Sequence, residues 1–392
     1  MPVKTVTHSP VEKLQDLLVG VLIGIEGINQ INTQLRPDLT LAAAWNRMRF
    51  AEQSTIADLL DAFEPKQVKQ LRQGYDTLFR CYSQTMRHDF KRQWLMVDID
   101  PTVLPASRRA EASGKCYSFR YGTTFGRQLA RLNVPTYHET LYSWLYPGNQ
   151  QAVTMLKPGV KLVQQTLNLS PEQRKRTIIR SDASIGTDGN INWLLWGKYQ
   201  VLMKGFSANR ANSLIKKLQP DAWIADAKRK RWIARAVDPP RFGRRINVFC
   251  LRWLNKKGIR HGTLLSTLFN LSPLSTLRAY DGRGAMEVEI RADKQGLNLT
   301  KRRKKRLPAQ QALILMTDTA HNLLSWLHHW VLEGTSFDEF GTKRMVDELL
   351  CIPGRIELKG DRLYKVALRS SHPYAEEMRR ILSNLLIWFD NP

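Results

Sequence analysis

Residues 280–294 read YDGRGAMEVEIRADK, and the interpretation of the whole chain starts from them. Tyr280, Arg283, Glu287 and Lys294 follow one another at steps of three, four and seven residues. Side chains at these steps lie on or near one face of an α-helix. A carboxylate can hold a divalent cation while Arg and Lys bind phosphate oxygens, so the pattern is typical of a site for a metal-bound phosphate. The alternative is an amphipathic helix whose charges are solvated.

Upstream of this predicted helix, the sequence indicates an α/β fold. The predicted strands are Trp94–Asp100, Tyr117–Phe125, Gln128–Leu145 with an interruption at Pro135, Arg176–Asp182 and Tyr199–Met203. Pro101 has no N–H to donate, and we expect it to end the regular pairing of the first strand. Helices are predicted at 151–167 and 191–196. Antiparallel strands followed by alternating helix and strand are the order of an RNase H-like fold, in which helices flank a mixed sheet.

Three acids fall at positions that such a fold brings together. Asp100 lies near the end of the first strand, Asp182 ends the fourth, and Glu287 is on the later helix. Three converging carboxylates would repel one another unless cations joined them, so hard divalent ions with oxygen ligands are expected. The rivals that the sequence leaves open for these three positions are, in the same order, Asp98, Asp188 and Glu289.

The spacing Y-(2)-R-(3)-E-(6)-K in residues 280–294 resembles the signature of the insertion-sequence-4 family of DDE transposases. Asp100-x-Thr102 is similar to the D-x-T element of that family, although Pro101 directly after the acid departs from its pattern. The resemblance implies an RNase H-like catalytic core. It also implies cut-and-paste transposition of an insertion sequence, by metal-dependent strand cleavage and strand transfer at the element ends.

The resemblance further implies a role for each residue of the site. Asp100 would bind both of two Mg²⁺ or Mn²⁺ ions, which can activate the attacking oxygen and stabilise the leaving one. Asp182 and Glu287 would bind one ion each. The residues that would hold the terminal phosphate of the element end are Tyr280, Arg283 and Lys294.

The order of elements predicts five regions along the chain. They are an N-terminal helical domain that is a candidate for DNA binding (1–90), the first part of the catalytic core (91–205), a β-rich insertion (206–270), the second part of the core with the Glu287 helix (271–335) and a C-terminal region (336–392). The insertion is inferred because 105 residues separate Asp182 from Glu287, too many for one strand and a loop. Transposases that resemble this chain interrupt the core at the same point.

Two further features suggest contact with DNA. Six consecutive cations follow the motif, and beside a phosphate-handling helix we expect them to contact the DNA backbone. They are Lys301, Arg302, Arg303, Lys304, Lys305 and Arg306. In the insertion, Trp253 or Trp232 could stack on a flipped base, as an aromatic residue does in hairpin-forming members of the family. The alternatives are a solvated loop and tryptophans that belong to the core.

Composition bounds the class of protein and its partner. Among 392 residues there are 60 Lys and Arg against 35 Asp and Glu, a formal net charge of +25, which favours a polyanion as partner; the resemblance implies that this partner is double-stranded DNA. No apolar segment is long enough to span a bilayer, so no membrane association is expected. Four scattered cysteines without a CxxC pair fit a reducing cytoplasm and argue against a zinc site. Synapsis of two element ends would require at least a homodimer on DNA.

Two other classes of protein share some of these features. A non-catalytic basic DNA-binding protein would explain the net charge and the cationic run, but it does not need three acids in this order. Another RNase H-fold DNA nuclease would keep the acids and the metals and would cut DNA without joining strands. An assay for strand transfer separates that nuclease from a transposase.

Overall fold

The computed structural model describes residues 7–118, 122–255, 258–360 and 362–390. Four helices come first: α1 (Pro10–Leu22), α2 (Leu39–Ala44), α3 (Gln53–Asp61) and α4 (Pro65–Tyr82). Ser9 caps α1 by accepting a hydrogen bond from the backbone N–H of Glu12, and Pro65 begins α4 where a missing N–H costs nothing. The helix α1 ends before Gly24, whose φ of +78° lies in the left-handed region.

The first part of the sheet contains β1 (Leu95–Pro105), β2 (Gly114–Ser118), β3 (Gly122–Val134) and β4 (Glu139–Tyr146). The third predicted strand, Gln128–Leu145, is divided at the predicted interruption, because a turn at Pro135–Tyr137 separates β3 from β4. The second predicted strand, Tyr117–Phe125, covers the end of β2 and the start of β3, and residues 119–121 lie outside the described residues.

Pro101 does not end β1, contrary to expectation. Beyond Ile99 the strand no longer pairs with its parallel neighbour, but its antiparallel pairing with β3 continues to Pro105. Proline is tolerated there because one edge of β1 has become free and needs no N–H donor.

The chain then alternates between helix and strand, as predicted. The elements are α5 (Leu156–Thr166), α6 (Pro171–Lys175), β5 (Thr177–Ser181), α7 (Asp188–Trp196) and β6 (Gln200–Lys204). The strands β1, β5 and β6 are mutually parallel, whereas β1, β3 and β4 are antiparallel neighbours. The predicted fold class, a mixed sheet flanked by helices, is confirmed.

The β-rich segment extends this sheet. It contains α8 (Ala208–Ile215), β7 (Ile224–Asp226), β8 (Arg231–Arg235), β9 (Asn247–Asn255) and β10 (Gly258–Ser266). Because β10 pairs with β6, the described strands of both parts form one sheet in the order β2-β3-β1-β5-β6-β10-β9-β8-β7, with β4 also on β3.

After the sheet come α9 (Pro273–Asp281), α10 (Gly284–Gln295), α11 (Leu307–Leu327), α12 (Thr342–Arg344), β11 (Gly354–Lys359), β12 (Arg362–Leu368) and α13 (Ala375–Asp390). The apolar residues of α1, α3 and α4 share one hydrophobic core with β1, β5 and α11. The N-terminal helices are thus packed against the same body as the sheet. Among the described residues, we find no helix with the length and apolarity that a bilayer crossing requires.

Candidate active site

The register of the parallel strands places Asp100 beside Asp182. Ile99 of β1 pairs with Ser181 of β5, and the two acids directly follow these two residues. Neighbours in register on adjacent strands project to the same face of the sheet. The sequence separation of 82 residues between the two acids is the same as that between paired residues of the strands, such as Leu95 and Thr177.

The four-residue motif lies on two helices, not on one as predicted. Tyr280 is in the last turn of α9, Arg283 caps the start of α10, and Glu287 and Lys294 lie in the first and last turns of α10. The break falls at Gly282, where a Cβ would come within 2.8 Å of the Arg180 guanidinium. That guanidinium also donates to the carbonyl of Ala279 at 2.6 Å, so the junction packs tightly on β5.

Arg283 joins two of the three predicted acids. Its guanidinium donates to Asp100 Oδ1 at 2.9 Å and to Glu287 Oε1 at 2.7 Å. At the other end of α10, Lys294 Nζ donates to the Thr102 hydroxyl at 3.0 Å. The structure therefore brings Asp100, Arg283, Glu287 and Lys294 into one cluster along β1.

Electrostatics sets Asp100 apart from an ordinary surface acid. Burial is the largest cause that raises its pKa, Arg283 lowers it, and the negative charges of Asp182 and Glu287 raise it again, to about 7. Asp182, like Asp100, is half-buried, and its Oδ1 accepts hydrogen bonds from the backbone N–H of Ser184 at 2.9 Å and from the Ser184 hydroxyl at 2.6 Å. A carboxyl group held among other carboxylates is one that a cation would stabilise.

The three rival acids have other partners. Asp98 is fully buried and accepts two hydrogen bonds from Arg180, at 2.6 and 2.8 Å. Glu289 is buried against the sheet and accepts from Asn133, while His138 Nδ1 lies 2.9 Å from its other oxygen. The third rival, at the start of α7, forms an ion pair with a residue of α8; the pair is Asp188 and Arg210.

Sequence reasoning missed a charged network that holds α10 from behind. Arg131 of β3 is fully buried and donates to Asp293 of α10 and, at 2.9 Å, to Asp318 of α11. His321 of α11 lies 2.8 Å from Asp293 through Nδ1 and 2.9 Å from the backbone carbonyl of residue 138 through Nε2. Both neighbours of the ring are acceptors, so the ring donates from both nitrogens and is an imidazolium. The signal available in the sequence was a single charged residue within an apolar segment, because a charge buried there needs a partner of opposite charge.

The imidazolium agrees with the pKa of His321. Burial lowers that pKa, but the charge of Asp293 and its hydrogen bond outweigh burial, and the pKa lies above its ordinary value. Two cations therefore balance two carboxylates in this network. The balance fixes the helix that carries Glu287 and Lys294.

Most of the cationic run contacts the protein itself. Arg302 is buried and donates to the carbonyl of Ile25 at 2.6 Å and to the Thr317 hydroxyl at 3.2 Å. Lys304 Nζ donates to Asp61 Oδ2 at 2.7 Å. Lys301 and Arg306 are likewise engaged, in ion pairs with Glu26 and Glu64.

The expectation that Arg302 contacts DNA is therefore wrong, because its guanidinium joins the loop before α11 to the segment after α1. Lys301, Lys304 and Arg306 hold N-terminal acids in this structure. Arg303 and Lys305 are the members of the run with exposed side chains and without a side-chain ion pair among the described residues.

The tryptophans of the insertion are half-buried. Trp253 packs across Gly262, and the ammonium of Lys204 lies 5.3 Å from the centre of its ring system. The guanidinium of Arg252 lies 5.1 Å from the centre of the Trp232 ring system. Both rings thus already have a cationic neighbour in the protein.

The donor set fits a hard divalent ion in its chemistry, although the side chains are not drawn together around one point. Among the residues described, no three acids, histidines or cysteines are placed to hold a metal ion as they stand. Arg283 occupies the space between Asp100 and Glu287 and supplies the positive charge. Glu287 is 54% exposed and is held by Arg283, so a cation that joined it to the two aspartates would have to replace that contact.

Comparisons with known proteins agree with this architecture. The family model for transposase DDE domain group 1 matches residues 2–387. A cryo-electron-microscopy structure of a piggyBac transposase synaptic complex with hairpin DNA is similar at a TM-score of 0.51 and 11% identity, covering 87% of this chain and 70% of that one. That likeness supports the predicted RNase H-like fold.

A pre-cleavage Mos1 transpososome matches at a TM-score of 0.20 and 13% identity, over 51% of this chain and 60% of that one. This score is too low to indicate a shared fold. A sequence search among curated proteins gave no significant match.

Proposed function

We propose that this chain, which belongs to the transposase DDE domain group 1 family, excises an insertion sequence and joins it to target DNA. The observation that carries the proposal is the adjacent placement of Asp100 and Asp182, directly after the last paired residues of two neighbouring parallel strands, with Glu287 joined to Asp100 through Arg283. The Y-R-E-K spacing also supports membership of the insertion-sequence-4 group within this class.

In this proposal Asp100, Asp182 and Glu287 hold two Mg²⁺ or Mn²⁺ ions. When bound, such ions activate the attacking oxygen and stabilise the leaving oxygen of a phosphodiester. Arg283 releases at least one carboxylate and turns its guanidinium toward a phosphate, which it can bind in a bidentate manner. Lys294, anchored on Thr102, and Tyr280 complete the grip on the terminal phosphate.

The partner in the proposed reaction is double-stranded DNA, both the element ends and the target. The excess of 60 basic over 35 acidic residues favours that partner. Synapsis of two ends implies a homodimer on DNA, and we propose that the protein acts in the cytoplasm of a bacterium, on the nucleoid.

Glu287→Gln tests the catalytic assignment, with Glu289→Gln as its matched control two residues away on the same helix. The substrate is a donor plasmid with the DNA that flanks the gene, incubated with Mn²⁺, and the readouts are strand cleavage and joining to a second plasmid. Because Glu287 is a direct ligand in the proposal, cleavage should fall by at least about 100-fold, more than for loss of a residue that only orients a ligand. DNA binding should persist. Wild-type cleavage by Glu287→Gln would refute the assignment, and cleavage without joining would favour a nuclease.

Metal binding gives a second readout that does not depend on activity. Calorimetric titration of Mn²⁺ should show binding to the wild type that an Asp100→Ala/Asp182→Ala variant lacks. A non-catalytic DNA-binding protein would give the same result for both.

A further inference from the structure

Lys204 stands in line with the two strand acids. Ser181 of β5 pairs with Met203 of β6, so the next residues, Asp182 and Lys204, are neighbours across the sheet. Asp100, Asp182 and Lys204 therefore follow one another across three adjacent parallel strands, each directly after the last residue that pairs in parallel. Leu202, two residues before Lys204, packs in the same apolar cluster as Tyr280. Alternation along the strand then directs Lys204 to the face covered by α9.

The ammonium of Lys204 lies between two aromatic rings. It is 5.3 Å from the centre of the Trp253 ring system and 5.2 Å from that of Tyr280. Within the described part of the chain, its Nζ forms no ion pair and donates no hydrogen bond to a protein oxygen. Burial and the neighbouring Arg283 lower its pKa. The rings orient the cation, but they leave its hydrogen-bond donors unused.

A second unsatisfied group lies beside it. Tyr280 is 5% exposed, and its buried hydroxyl has no hydrogen-bond partner with acceptable geometry among the described residues. Lys204, Trp253 and Tyr280 line one cavity of about 260 Å³, which also borders Leu277 of α9. An unpaired cation at the cavity wall, with an unsatisfied hydroxyl buried next to it, is suited to an anionic ligand with several acceptor oxygens.

The other cations around this cavity already have partners. Arg231 donates to Asp281 at 2.7 Å and Arg229 pairs with the same carboxylate at 2.8 Å. Arg252 lies over a tryptophan ring. Lys204 and Arg252 are therefore the cations of the cavity wall that a ligand can use without breaking an ion pair, and of these two Lys204 is the one beside the strand acids.

We propose that Lys204, with the Tyr280 hydroxyl, binds one backbone phosphate of a DNA strand next to the predicted metal site. The proposal rests on the proposed function, and it adds Lys204, which lies outside the Y-R-E-K residues, to the side chains that bind phosphate. The ligand is a phosphodiester, because its oxygens satisfy both donors and its deoxyribose can pack on the Trp253 ring. In this proposal Lys204 binds the DNA strand and does not bind the metal ions.

The test measures DNA affinity by fluorescence anisotropy, with a 20-base-pair duplex that carries 5′ phosphates, across a range of KCl concentrations in EDTA. Lys204→Gln should reduce the slope of log affinity against log salt by about one, the loss of one phosphate contact. Lys204→Arg should retain the wild-type slope. Lys161→Gln is the matched control, since Lys161 is exposed on α5, which packs on the opposite face of the sheet. Equal slopes for Lys204→Gln and the wild type would overturn the proposal.

Acetylation of wild-type lysines with an N-hydroxysuccinimide ester, read by mass spectrometry, keeps the proposal testable if the variant does not fold. The duplex should protect Lys204 several-fold and leave Lys161 unprotected. Equal labelling of Lys204 with and without DNA would also overturn it. Both measurements omit divalent ions, so they can fail while the cleavage test of Glu287 succeeds, or the reverse.

Discussion

The two sides of α10 neutralise their charges in different ways. Behind the helix, Asp293 is buried between Arg131 and His321, and each cation has a carboxylate in contact. In front, Glu287 and Asp100 share the guanidinium of Arg283, and Asp182 forms no ion pair among the described residues. The rear network holds the helix, whereas the front is left with charge that a ligand must complete. The difference indicates which residues stabilise the fold and which serve binding.

The largest effect is expected from breaking the rear network. Asp293→Asn removes one carboxylate from between two buried cations, and it should lower the free energy of unfolding by about 3–5 kcal/mol. Urea denaturation of the purified variant and wild type measures this. A change of less than ~0.5 kcal/mol, typical of an exposed site, would show that the rear charges do not hold the helix.

The opposite sign is expected at the front. Burial and neighbouring acids raise the folded-state pKa of Asp100 from 3.8 to about 7, so the folded protein binds a proton that the unfolded chain releases. Stability from this group is present at low pH and is lost as pH rises toward 7. Asp100→Asn removes that loss and should raise the free energy of unfolding by about 1–4 kcal/mol at pH 8.

The pH dependence supplies the control for Asp100→Asn. Near pH 4 the variant and the wild type should have almost equal free energies of unfolding, because the carboxyl is protonated in the folded protein. A destabilised variant at pH 8 would mean that the Arg283 contact outweighs the cost of the buried charge, and that Asp100 belongs with the rear group.

The sequence predicted the front of the site better than the back. Asp100 lies on β1 and Asp182 directly follows β5, and the order of strands in an RNase H-like fold predicted that the two acids are near each other. Lys204 could have been found in the same way, since it is the last residue of the next parallel strand. Partners such as Arg131 and Asp318 lie 187 residues apart, and no local pattern connects residues at that distance.

The sequence pattern also did not predict where the helix of the motif is interrupted. The spacing of Tyr280, Arg283, Glu287 and Lys294 suits one helix, yet the packing of Arg180 on Gly282 divides it. Tertiary contact overrides helical periodicity here. The cationic run misled for a similar reason: charge density in a sequence does not show which acids of a distant helix are nearby.

The cationic run also contains both a buried charge, on Arg302, and an exposed one, on Arg303. Arg302→Gln should cost about 1–3 kcal/mol of unfolding free energy, because it leaves buried carbonyl and hydroxyl groups unpaired. Arg303→Gln, at an exposed position, should change it by less than ~0.5 kcal/mol. If Arg303 contacts DNA, its substitution should lower the salt slope of binding by about one. Equal stability of the two variants would place Arg302 outside the core.

The smallest effect is expected from titrating the rear network. The pKa of His321 lies above its ordinary 6.5 because Asp293 outweighs the effect of burial. The imidazolium therefore contributes stability that is fully present below pH 6.5 and is lost as pH rises through the folded-state pKa. His321→Gln removes the titrating group. The difference in unfolding free energy between the wild type and this variant should therefore decrease between pH 6 and pH 9. Parallel urea titrations at several pH values measure this difference in unfolding free energy. A difference that increases with pH would mean that His321 is neutral in the folded protein, and the rear charges would then be as unbalanced as those in front.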